Sequence, residues 1–468
     1  MTKRPLYYSA FVMNTASHVL HGLWRAPDAQ NHRFNSLRHW TSLAAEVDKA
    51  GYDVLFFADV FGLRATWNGN WRKAVEGGIQ VPVNDPSVLA SAIAAATENL
   101  GIVFTSSIVQ DHPFNFARRM SSLDHYTDGR LGWNIVTSFN ANMFRSFGHE
   151  GTLAHDQRYE WANEYVDVTY KLWEGSWDDD ALVQDKERSV HSDPSKIHKI
   201  NHVGRRYTVE GPHFTSPSPQ RTPVLFQAGS SPAGQLFSAR NAEGVYISSP
   251  TPADAHKLTG ETRALAAANG RDPQDITFAQ GLSFVIGDTH AEAVRRNDEL
   301  KRYLDVEGVA LHALGDAGID AGNLPLDTPI SALGEFTGIQ SFSRWAAEIS
   351  GNDEPTIRDM AWALEGANRV VGTPKEIADR LEEWREAGVD GINVYHATLP
   401  ASFREVADRL FPTLRERGLI GTDKSGTLRH KLLGRGDRLP DTHPAARYRG
   451  AFSDNSLADR VPETVGSV

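Results

Sequence analysis

Short apolar segments alternate with amphipathic helical patterns along most of this chain, and this alternation constrains the fold more than any other feature. The alternation predicts eight strands, at residues 6–12, 54–58, 102–106, 131–136, 223–228, 244–247, 276–286 and 391–395. Eight strands with helices between or after nearly all of them predict an α/β fold of the closed (β/α)₈ TIM-barrel type. An open doubly wound sheet is less favoured, because no glycine-rich fingerprint follows the first strand.

Two connections in this pattern are far longer than the others. Residues 175–222 precede the fifth strand, and residues 303–372 separate the seventh strand from the eighth. Connections of this length inside a compact domain are usually lids or binding elements. We therefore expect residues 1–421 to form one barrel domain with two insertions.

The composition changes beyond residue 421, where Arg, Gly, Pro and Asp occur without a helical period. This pattern predicts that residues 422–468 form an extended C-terminal arm, which packs on the barrel or on a neighbouring protomer. For the last dozen or so residues, a disordered tail is the alternative interpretation.

The charge balance and the residue types exclude several classes of function. The chain has 48 basic and 59 acidic residues, a net charge of −11, which argues against nucleic-acid and anionic-membrane partners. It has no cysteine, which excludes disulfides, thiolate metal sites and a cysteine nucleophile and suits the cytoplasm. No segment approaches the roughly 18 apolar residues of a membrane helix. His18 and His21 have no evident third ligand, so we expect no metal site.

Polar side chains stand at or near the ends of several predicted strands, where TIM barrels bind their ligands. These residues are Asp59, Thr105, Ser107, Asn134, His155 and Tyr159. His155 and Tyr159 are four residues apart on a predicted helix, so they lie on one face. Taken singly, such residues are commonly helix caps, backbone partners or packing residues.

The run QAGSSPAG at residues 227–234 joins the fifth strand to the next helix. Gly229, Ser230 and Ser231 would lie at the helix N-terminus, where free N–H groups and the helix dipole favour an anion such as phosphate. A plain N-cap is the alternative interpretation. TIM barrels more often bind phosphate after strands seven and eight, so this position is unusual. Together with the other strand-end residues, the run predicts a phosphorylated, ring-bearing cofactor.

Six short motifs occur in one order along nearly the whole chain. They are Asn14 and His18 with GLWR at 22–25, FFADVFG at 56–62, SLDHYTDGRLGWNIVTS at 122–138, HDQRYEWANEY at 155–165, QAGSSPAG at 227–234, and LPDTHPAARYR at 439–449. With these motifs the sequence resembles the bacterial luciferase-like flavin-dependent monooxygenases. Within them it is most similar to the branch that holds nitrilotriacetate monooxygenase, pristinamycin IIA synthase and dibenzothiophene sulfone monooxygenase.

The resemblance implies an enzyme in which reduced FMN reacts with O₂ to a flavin peroxide that oxygenates a small organic substrate. The implied cofactor-binding residues are Asp59, Thr105, Ser107, Asn134, His155, Tyr159, Gly229, Ser230 and Ser231. Ser107 is the weaker match, because the family's TAST-like run is TSSI here, at residues 105–108. The resemblance also implies His18 and His312 as catalytic residues and Phe56 and Tyr246 as substrate-pocket residues. A reactive reduced cofactor of this kind requires a site that excludes water.

The predicted barrel leaves no room for an NAD(P)H-binding domain, so we expect a separate NAD(P)H:flavin reductase to supply FMNH₂. A homodimer or homotetramer is expected from the resemblance. The aromatic residues at the strand ends favour an aromatic or heteroaromatic, sulfone-like substrate. Two alternatives stay open, a deazaflavin-dependent dehydrogenase and a flavin-binding barrel without turnover. A dehydrogenase would consume no O₂, so oxygen uptake distinguishes it from a monooxygenase. A barrel without turnover would give no oxidised product with any candidate substrate.

Overall fold

The computed structural model describes residues 4–64, 67–229, 231–316, 319–320, 322–333, 346–347 and 350–458. Its strands, in chain order, are β1 (Tyr7–Met13), β2 (Val54–Ala58), β3 (Gly101–Ser107), β4 (Leu131–Val136), β5 (Leu182–Asp185), β6 (Val190–Ser192), β7 (His202–Val203), β8 (Thr208–Val209), β9 (Val224–Gln227), β10 (Gly244–Ile247), β11 (Thr277–Ile286), β12 (Arg369–Gly372) and β13 (Gly391–Tyr395).

Eight of these strands close into a parallel barrel. Around the barrel the order is β1, β2, β3, β4, β9, β10, β11 and β13, and β13 pairs with β1 to complete the circle. The strands are buried almost throughout, because side chains fill the interior and helices cover the outside. The predicted TIM barrel is therefore confirmed, and each predicted strand overlaps one barrel strand.

In the described residues, helices lie between the barrel strands, within the long connections and in the C-terminal arm. They are α1 (Leu37–Ala50), α2 (Arg72–Gly77), α3 (Ala90–Ala96), α4 (Pro113–Tyr126), α5 (Ala141–Ser146), α6 (His155–Tyr170), α7 (Pro232–Asn241), α8 (Pro252–Ala268), α9 (His290–Lys301), α10 (Val306–Asp316), α11 (Ile357–Ala367), α12 (Pro374–Glu386), α13 (Ala401–Glu405), α14 (Phe411–Glu416) and α15 (Leu428–Leu433). Helix α1 illustrates the local signals, since Ser36 caps its N-terminus and Gly51 ends it in the left-handed conformation.

The two long connections differ in what they build. Residues 175–222 form two small antiparallel hairpins, β5–β6 and β7–β8, beside the barrel. The connection between β11 and β13 contains α10 and α11, which pack on each other around a separate hydrophobic cluster that includes Leu314 and Met360.

This second connection also contains a strand that was not predicted from the sequence. Strand β12 pairs in parallel with residues Ser283–Ile286, the outer half of β11, while the inner half of β11 pairs with β13. It has only four residues and is mostly half-buried, so its sequence RVVG shows too short a pattern to be recognised.

The C-terminal arm closes the barrel at the amino-terminal ends of its strands. Leu428, Leu432 and Leu433 of α15 join the hydrophobic cluster that fills the barrel interior. Arg429 is buried, and its Nε lies 2.6 Å from Oε1 of Glu243, which is also buried. The arm thus packs on the barrel as far as residue 458, and residues 459–468 lie outside the described residues. With this end closed, ligands reach the barrel from the carboxyl-terminal ends of the strands.

Candidate active site

A cavity of about 550 Å³ opens at the carboxyl-terminal ends of β2, β3, β4 and β9. Seven of the nine residues expected to bind a cofactor line it, namely Asp59, Thr105, Ser107, His155, Tyr159, Gly229 and Ser231. We call this part of the barrel mouth the cavity half. The sequence motifs that supplied these residues are far apart in the chain, and the barrel brings them together because parallel strands end at one edge.

Asn134 lies directly behind the cavity wall. Its Nδ2 donates a hydrogen bond of 2.8 Å to Oγ1 of Thr105, and that hydroxyl donates to the backbone oxygen of Phe57 at 3.0 Å. Oδ1 of Asn134 is buried and has no hydrogen-bond partner among the described residues. A buried oxygen without a partner costs free energy, so this position suits a polar group of a bound molecule.

The strand-to-helix turn after β9 is held by several polar contacts. Oγ of Ser231 accepts from the backbone N–H of Gly234 at 3.1 Å, which makes Ser231 the N-cap of α7, as in the alternative interpretation. The same oxygen lies 3.0 Å from Nε2 of His155. The N–H of Gly229 donates to Oε1 of Gln227 at 2.6 Å. The turn therefore offers hydroxyl and imidazole groups to an anion. Ser230 lies outside the described residues.

Arg158 is a cavity residue that the sequence analysis did not select. It lines the cavity beside Tyr159, and its guanidinium donates to the backbone oxygen of Ser138. Its Nε is buried without a hydrogen-bond partner among the described residues. A cation at this position complements an anionic group at the Ser231 turn. Its position one residue before Tyr159 in the HDQRYEWANEY motif was the available signal.

Asp59 follows β2 and lines the cavity wall. Burial, together with the nearby charge of Asp85, raises the pKa of its carboxyl to about 7. Hydrogen bonds from the Val60 N–H and the Gln110 side chain act in the opposite direction. Asp59 is therefore partly protonated near neutral pH, and it can donate as well as accept a hydrogen bond.

The neighbouring part of the mouth contains four histidines, which we call the histidine half. They are His18 and His21 after β1, His396 directly after β13, and His312 on α10. The ring centroids of His18 and His396 are 6.1 Å apart, and Nε2 of His21 lies 2.8 Å from Nδ1 of His312. Since His396, His312 and His21 all act on the pKa of His18, the two residues expected to be catalytic, His18 and His312, belong to one cluster.

These histidines are uncharged at neutral pH. Burial lowers the pKa of His18, His21 and His312 well below the usual value, and nearby cationic or potentially cationic groups lower it further. Burial also lowers the pKa of His396 to about 4. Within the described residues no group of three or more His, Asp or Glu side chains is arranged to hold a metal ion. The cluster can therefore donate and accept hydrogen bonds at ring nitrogens without carrying charge.

Aromatic rings pack under the histidine half. The ring of Phe11 lies 4.7 Å from His18, 5.4 Å from Phe56, 5.2 Å from Tyr246 and 5.5 Å from Tyr395, measured between ring centroids. Phe56 is only 2% exposed and belongs to the barrel core. Tyr246 is half-buried, and its hydroxyl contacts that of Tyr395. Of the two expected substrate-pocket residues, Tyr246 is therefore closer to the mouth.

Arg64 connects the two halves and was also missed from the sequence. Its guanidinium carbon lies 5.7 Å from the ring centroid of Phe139, a cavity residue, and its Nη2 donates to Oε1 of Gln80 at 3.1 Å. Gln80 in turn donates to the backbone oxygen of His18 at 3.1 Å. Arg64 lies in an irregular loop after β2, where the sequence shows no recognisable pattern.

A TIM barrel whose strands end at a cavity with several converging polar side chains, beside neutral histidines, has the architecture of a barrel enzyme. Residues 13–391 match the family described as luciferase-like monooxygenase, and the chain belongs to this family. It is accordingly a flavin-dependent monooxygenase. In the part of the chain that the structure describes, no helix is both long and apolar enough to span a membrane.

The chain is 40% identical to long-chain alkane monooxygenase of Geobacillus thermodenitrificans, over 97% of this chain and 100% of that protein. It is 41% identical to dimethyl-sulfide monooxygenase of Hyphomicrobium sulfonivorans, over 98% of this chain and 97% of that protein. The crystal structure of DmoA from Hyphomicrobium sulfonivorans superposes with a TM-score of 0.92 at 40% identity, covering 99% of this chain and 100% of that one. A riboflavin lyase solved with modified FMN and riboflavin gives a TM-score of 0.86 at 35% identity, with 95% and 100% coverage.

The three relatives named by the sequence resemblance also match. Nitrilotriacetate monooxygenase component A of Aminobacter aminovorans is 32% identical, dibenzothiophene-sulfone monooxygenase of Rhodococcus erythropolis 34%, and a pristinamycin IIA synthase chain of Streptomyces pristinaespiralis 31%. Each alignment covers about nine-tenths of this chain. The predicted family and branch are therefore confirmed.

Proposed function

We propose that this protein is the oxygenase of a two-component system, which uses FMNH₂ and O₂ to oxygenate a small apolar organic substrate. A separate NAD(P)H:flavin reductase would supply FMNH₂. The observation that carries this proposal is the cavity half, in which side chains from four strand ends and α6 surround a space of about 550 Å³. The nitrilotriacetate relative is by its name one component of a larger system, which supports the separate reductase.

The polar groups of the cavity divide into two sets that suit the two ends of FMN. Ser231, His155 and Arg158 form a hydroxyl, imidazole and guanidinium set that suits the phosphate. Asp59, Thr105 and the partnerless Oδ1 of Asn134 suit the polar edge of the flavin ring. Reduced FMN, when bound, supplies the reaction with O₂, and the protein supplies binding, orientation and exclusion of water.

The histidine half would receive the substrate. His18 and His312 are the candidates for holding or moving a proton at the substrate, since neutral imidazoles can both donate and accept. The ring cluster of Phe11, Tyr246 and Tyr395 supports an apolar substrate, and an aromatic or sulfone-like molecule would stack on it. Relatives that are named for alkane and dimethyl-sulfide oxidation make an aliphatic substrate and a sulfide the other candidates to test.

The decisive assay combines the purified chain with FMN, NADH, a generic flavin reductase and ¹⁸O₂. Dibenzothiophene sulfone, dimethyl sulfide, a long-chain alkane and nitrilotriacetate are supplied one at a time, and ¹⁸O incorporation into product is measured by mass spectrometry. We expect incorporation with at least one of the first three compounds, which carry no ionised group, and incorporation into nitrilotriacetate alone would contradict an apolar substrate. Flavin binding accompanied only by hydrogen peroxide would favour the barrel without turnover. Oxidation of a substrate without O₂, using a deazaflavin, would favour the dehydrogenase. Absence of binding to oxidised and reduced FMN would end the flavin assignment.

Ser231→Ala tests the phosphate end of the proposed site. We expect its affinity for FMN to fall about tenfold, equivalent to about 1.4 kcal/mol, and its affinity for riboflavin to stay unchanged. Ser36→Ala is the matched control, because Ser36 is likewise an N-cap serine but caps α1. It should leave both affinities unchanged. Isothermal titration gives the four values, and an equal loss for FMN and riboflavin with Ser231→Ala would contradict phosphate binding at this turn.

A further inference from the structure

His21 lies between Ser17 and His312 in a continuous line of hydrogen bonds. Its Nδ1 is 2.8 Å from Oγ of Ser17, and its Nε2 is 2.8 Å from Nδ1 of His312. Ser17 is 2% exposed and His21 fully buried. Both ring nitrogens of His21 are therefore used, one towards each neighbour.

Contacts with backbone atoms hold the loop that carries His21 next to the segment before α10, although 291 residues separate His21 from His312. The N–H of Asp305, just before α10, donates to the backbone oxygen of His21 at 2.9 Å. Nη2 of Arg25 donates to the backbone oxygen of Tyr303. Gly22 has a φ of +91°, and any Cβ there would collide with the Tyr303 carbonyl. The backbone of the loop after β1 therefore packs directly against the backbone of the segment just before α10.

The direction of the hydrogen bonds follows from counting protons. A neutral imidazole has one N–H and one acceptor nitrogen, and burial keeps His21 and His312 neutral by lowering each pKa. Within the described residues, the Ser17 hydroxyl has no hydrogen-bond partner except Nδ1 of His21. If that nitrogen carried the proton, the buried hydroxyl hydrogen would have no acceptor, at a cost of about 1–3 kcal/mol. Ser17 therefore donates to Nδ1 of His21, and Nε2–H of His21 donates to Nδ1 of His312.

We propose that Ser17 and His21 are positioning residues that hold His312 in the tautomer with its proton on Nε2. In this state His312 is a hydrogen-bond donor for an oxygen atom on which negative charge develops during oxygen transfer. This role of His312 rests on the proposed function, whereas the tautomer itself does not. His18 provides an internal contrast, because neither of its ring nitrogens has a hydrogen bond among the described residues.

Histidine NMR tests the tautomer without cofactor or substrate. The FMN-free protein is labelled with ¹⁵N-histidine, and two-bond ¹H–¹⁵N spectra at pH 7 identify which ring nitrogen carries the proton. His312→Gln and His21→Gln assign the two signals by their loss. We expect His312 to carry its proton on Nε2 in the unmodified chain and in Ser17→Thr, which keeps the hydroxyl. In Ser17→Ala the signal should shift towards a mixture of tautomers. A proton on Nδ1 of His312, or no change in Ser17→Ala, would overturn the proposal.

Kinetics of His21 variants test the consequence for turnover. His21→Leu removes the donor to His312, and His21→Gln keeps an N–H near the position of Nε2. We expect kcat to fall on the order of 10-fold or more in His21→Leu, with KM and FMN affinity within about twofold of the original values. His21→Gln should restore part of kcat. Equal kcat values in both variants would argue against positioning.

The two tests also separate this inference from the proposed function. If the unmodified chain neither binds flavin nor oxygenates a substrate, the proposed function fails while the NMR result still stands. If the chain is active and the His312 tautomer does not respond to Ser17, only the inference fails. Should His21→Leu not fold, as judged by circular dichroism, Ser17→Ala still decides the outcome.

Discussion

The cavity half and the histidine half of the barrel mouth are built from neighbouring strand ends, yet they differ in accessibility and in the side chains that line them. The cavity half is open, and hydroxyl, amide and charged side chains line it together with apolar ones such as Ile135 and Phe139. The histidine half is covered by α10 and packed with aromatic rings. The strands do not create this difference, since all eight are parallel and buried. What covers each strand end creates it.

Burial of the strand ends also affects the charge of the side chains in each half. Burial raises the pKa of Asp59 to about 7 in the cavity half and lowers the pKa of His396 to about 4 in the histidine half. Both shifts favour the neutral form of the side chain. An uncharged histidine half suits an apolar substrate, whereas the guanidinium of Arg158 leaves the cavity half with a cationic group. The comparison thus predicts that the two halves have separable functions.

The largest expected effect comes from the histidine half. His18→Ala should lower kcat about 100-fold or more, as expected for loss of a proton-transfer group, and leave FMN affinity within about twofold. Steady-state turnover and fluorescence titration of FMN measure the two quantities. His256→Ala, at an exposed position on α8, is the control and should change neither. A parallel loss of FMN affinity and kcat would mean that the two halves are one indivisible site.

The second-largest expected effect comes from the cavity half. A Cβ at Gly229 would lie 2.7 Å from the Tyr159 hydroxyl and 2.9 Å from Cα of Gly234, so Gly229→Ala must displace the turn. We expect its FMN affinity to fall about tenfold or more, with kcat at saturating FMN close to the original value.

Gly260→Ala is the matched control for this turn, because a Cβ at Gly260 meets open space on α8. It should leave FMN affinity unchanged and raise the free energy of unfolding by about 0.5–1 kcal/mol, since alanine favours a helix more than glycine. Unchanged FMN affinity in Gly229→Ala would place the cofactor elsewhere.

The smallest effect is a pH-dependent stability difference at Asp59. Because its pKa is raised on folding, Asp59 contributes stability that is fully present below about pH 4 and is lost as the pH rises to about 7. Asp59→Asn removes this loss. The variant should therefore be as stable as the unmodified chain near pH 4 and more stable than it by about 1–2 kcal/mol at pH 8. Urea unfolding of the FMN-free protein measures the difference. Asp298→Asn, at an exposed position, is the control. If the stability difference between Asp59→Asn and the unmodified chain does not grow with pH, the raised pKa of Asp59 is contradicted.

Most of the fold could be predicted from the sequence. The barrel strands are buried on both faces, so each appears as a short apolar run between helical patterns. Strand β12 was missed because a four-residue, half-buried segment at the end of α11 has no recognisable period. The arm was predicted from its composition, but its buried ion pair between Arg429 and Glu243 of the barrel is not revealed by any local pattern.

The candidate site divides in the same way. Residues at strand ends, such as Asp59 and Thr105, could be predicted because the barrel places all strand ends at one edge. Arg64 could not, since its importance depends on what surrounds its guanidinium and not on the neighbouring sequence. Arg158 was overlooked although its place beside Tyr159 in the HDQRYEWANEY motif was a signal. Whether the nine expected cofactor-binding residues contact FMN stays a prediction.

The sequence by itself determined the barrel, the family and the chemical types of the groups around the mouth, because each is written in a local period or a short motif. Only the tertiary structure decided which groups meet. The hydrogen bond between His21 and His312 joins residues 291 positions apart, and beside it Gly22 packs closely against Tyr303 and Asp305, just before α10. Distances of a few ångströms set both the hydrogen bonds and the pKa shifts, and a linear sequence contains no such distances.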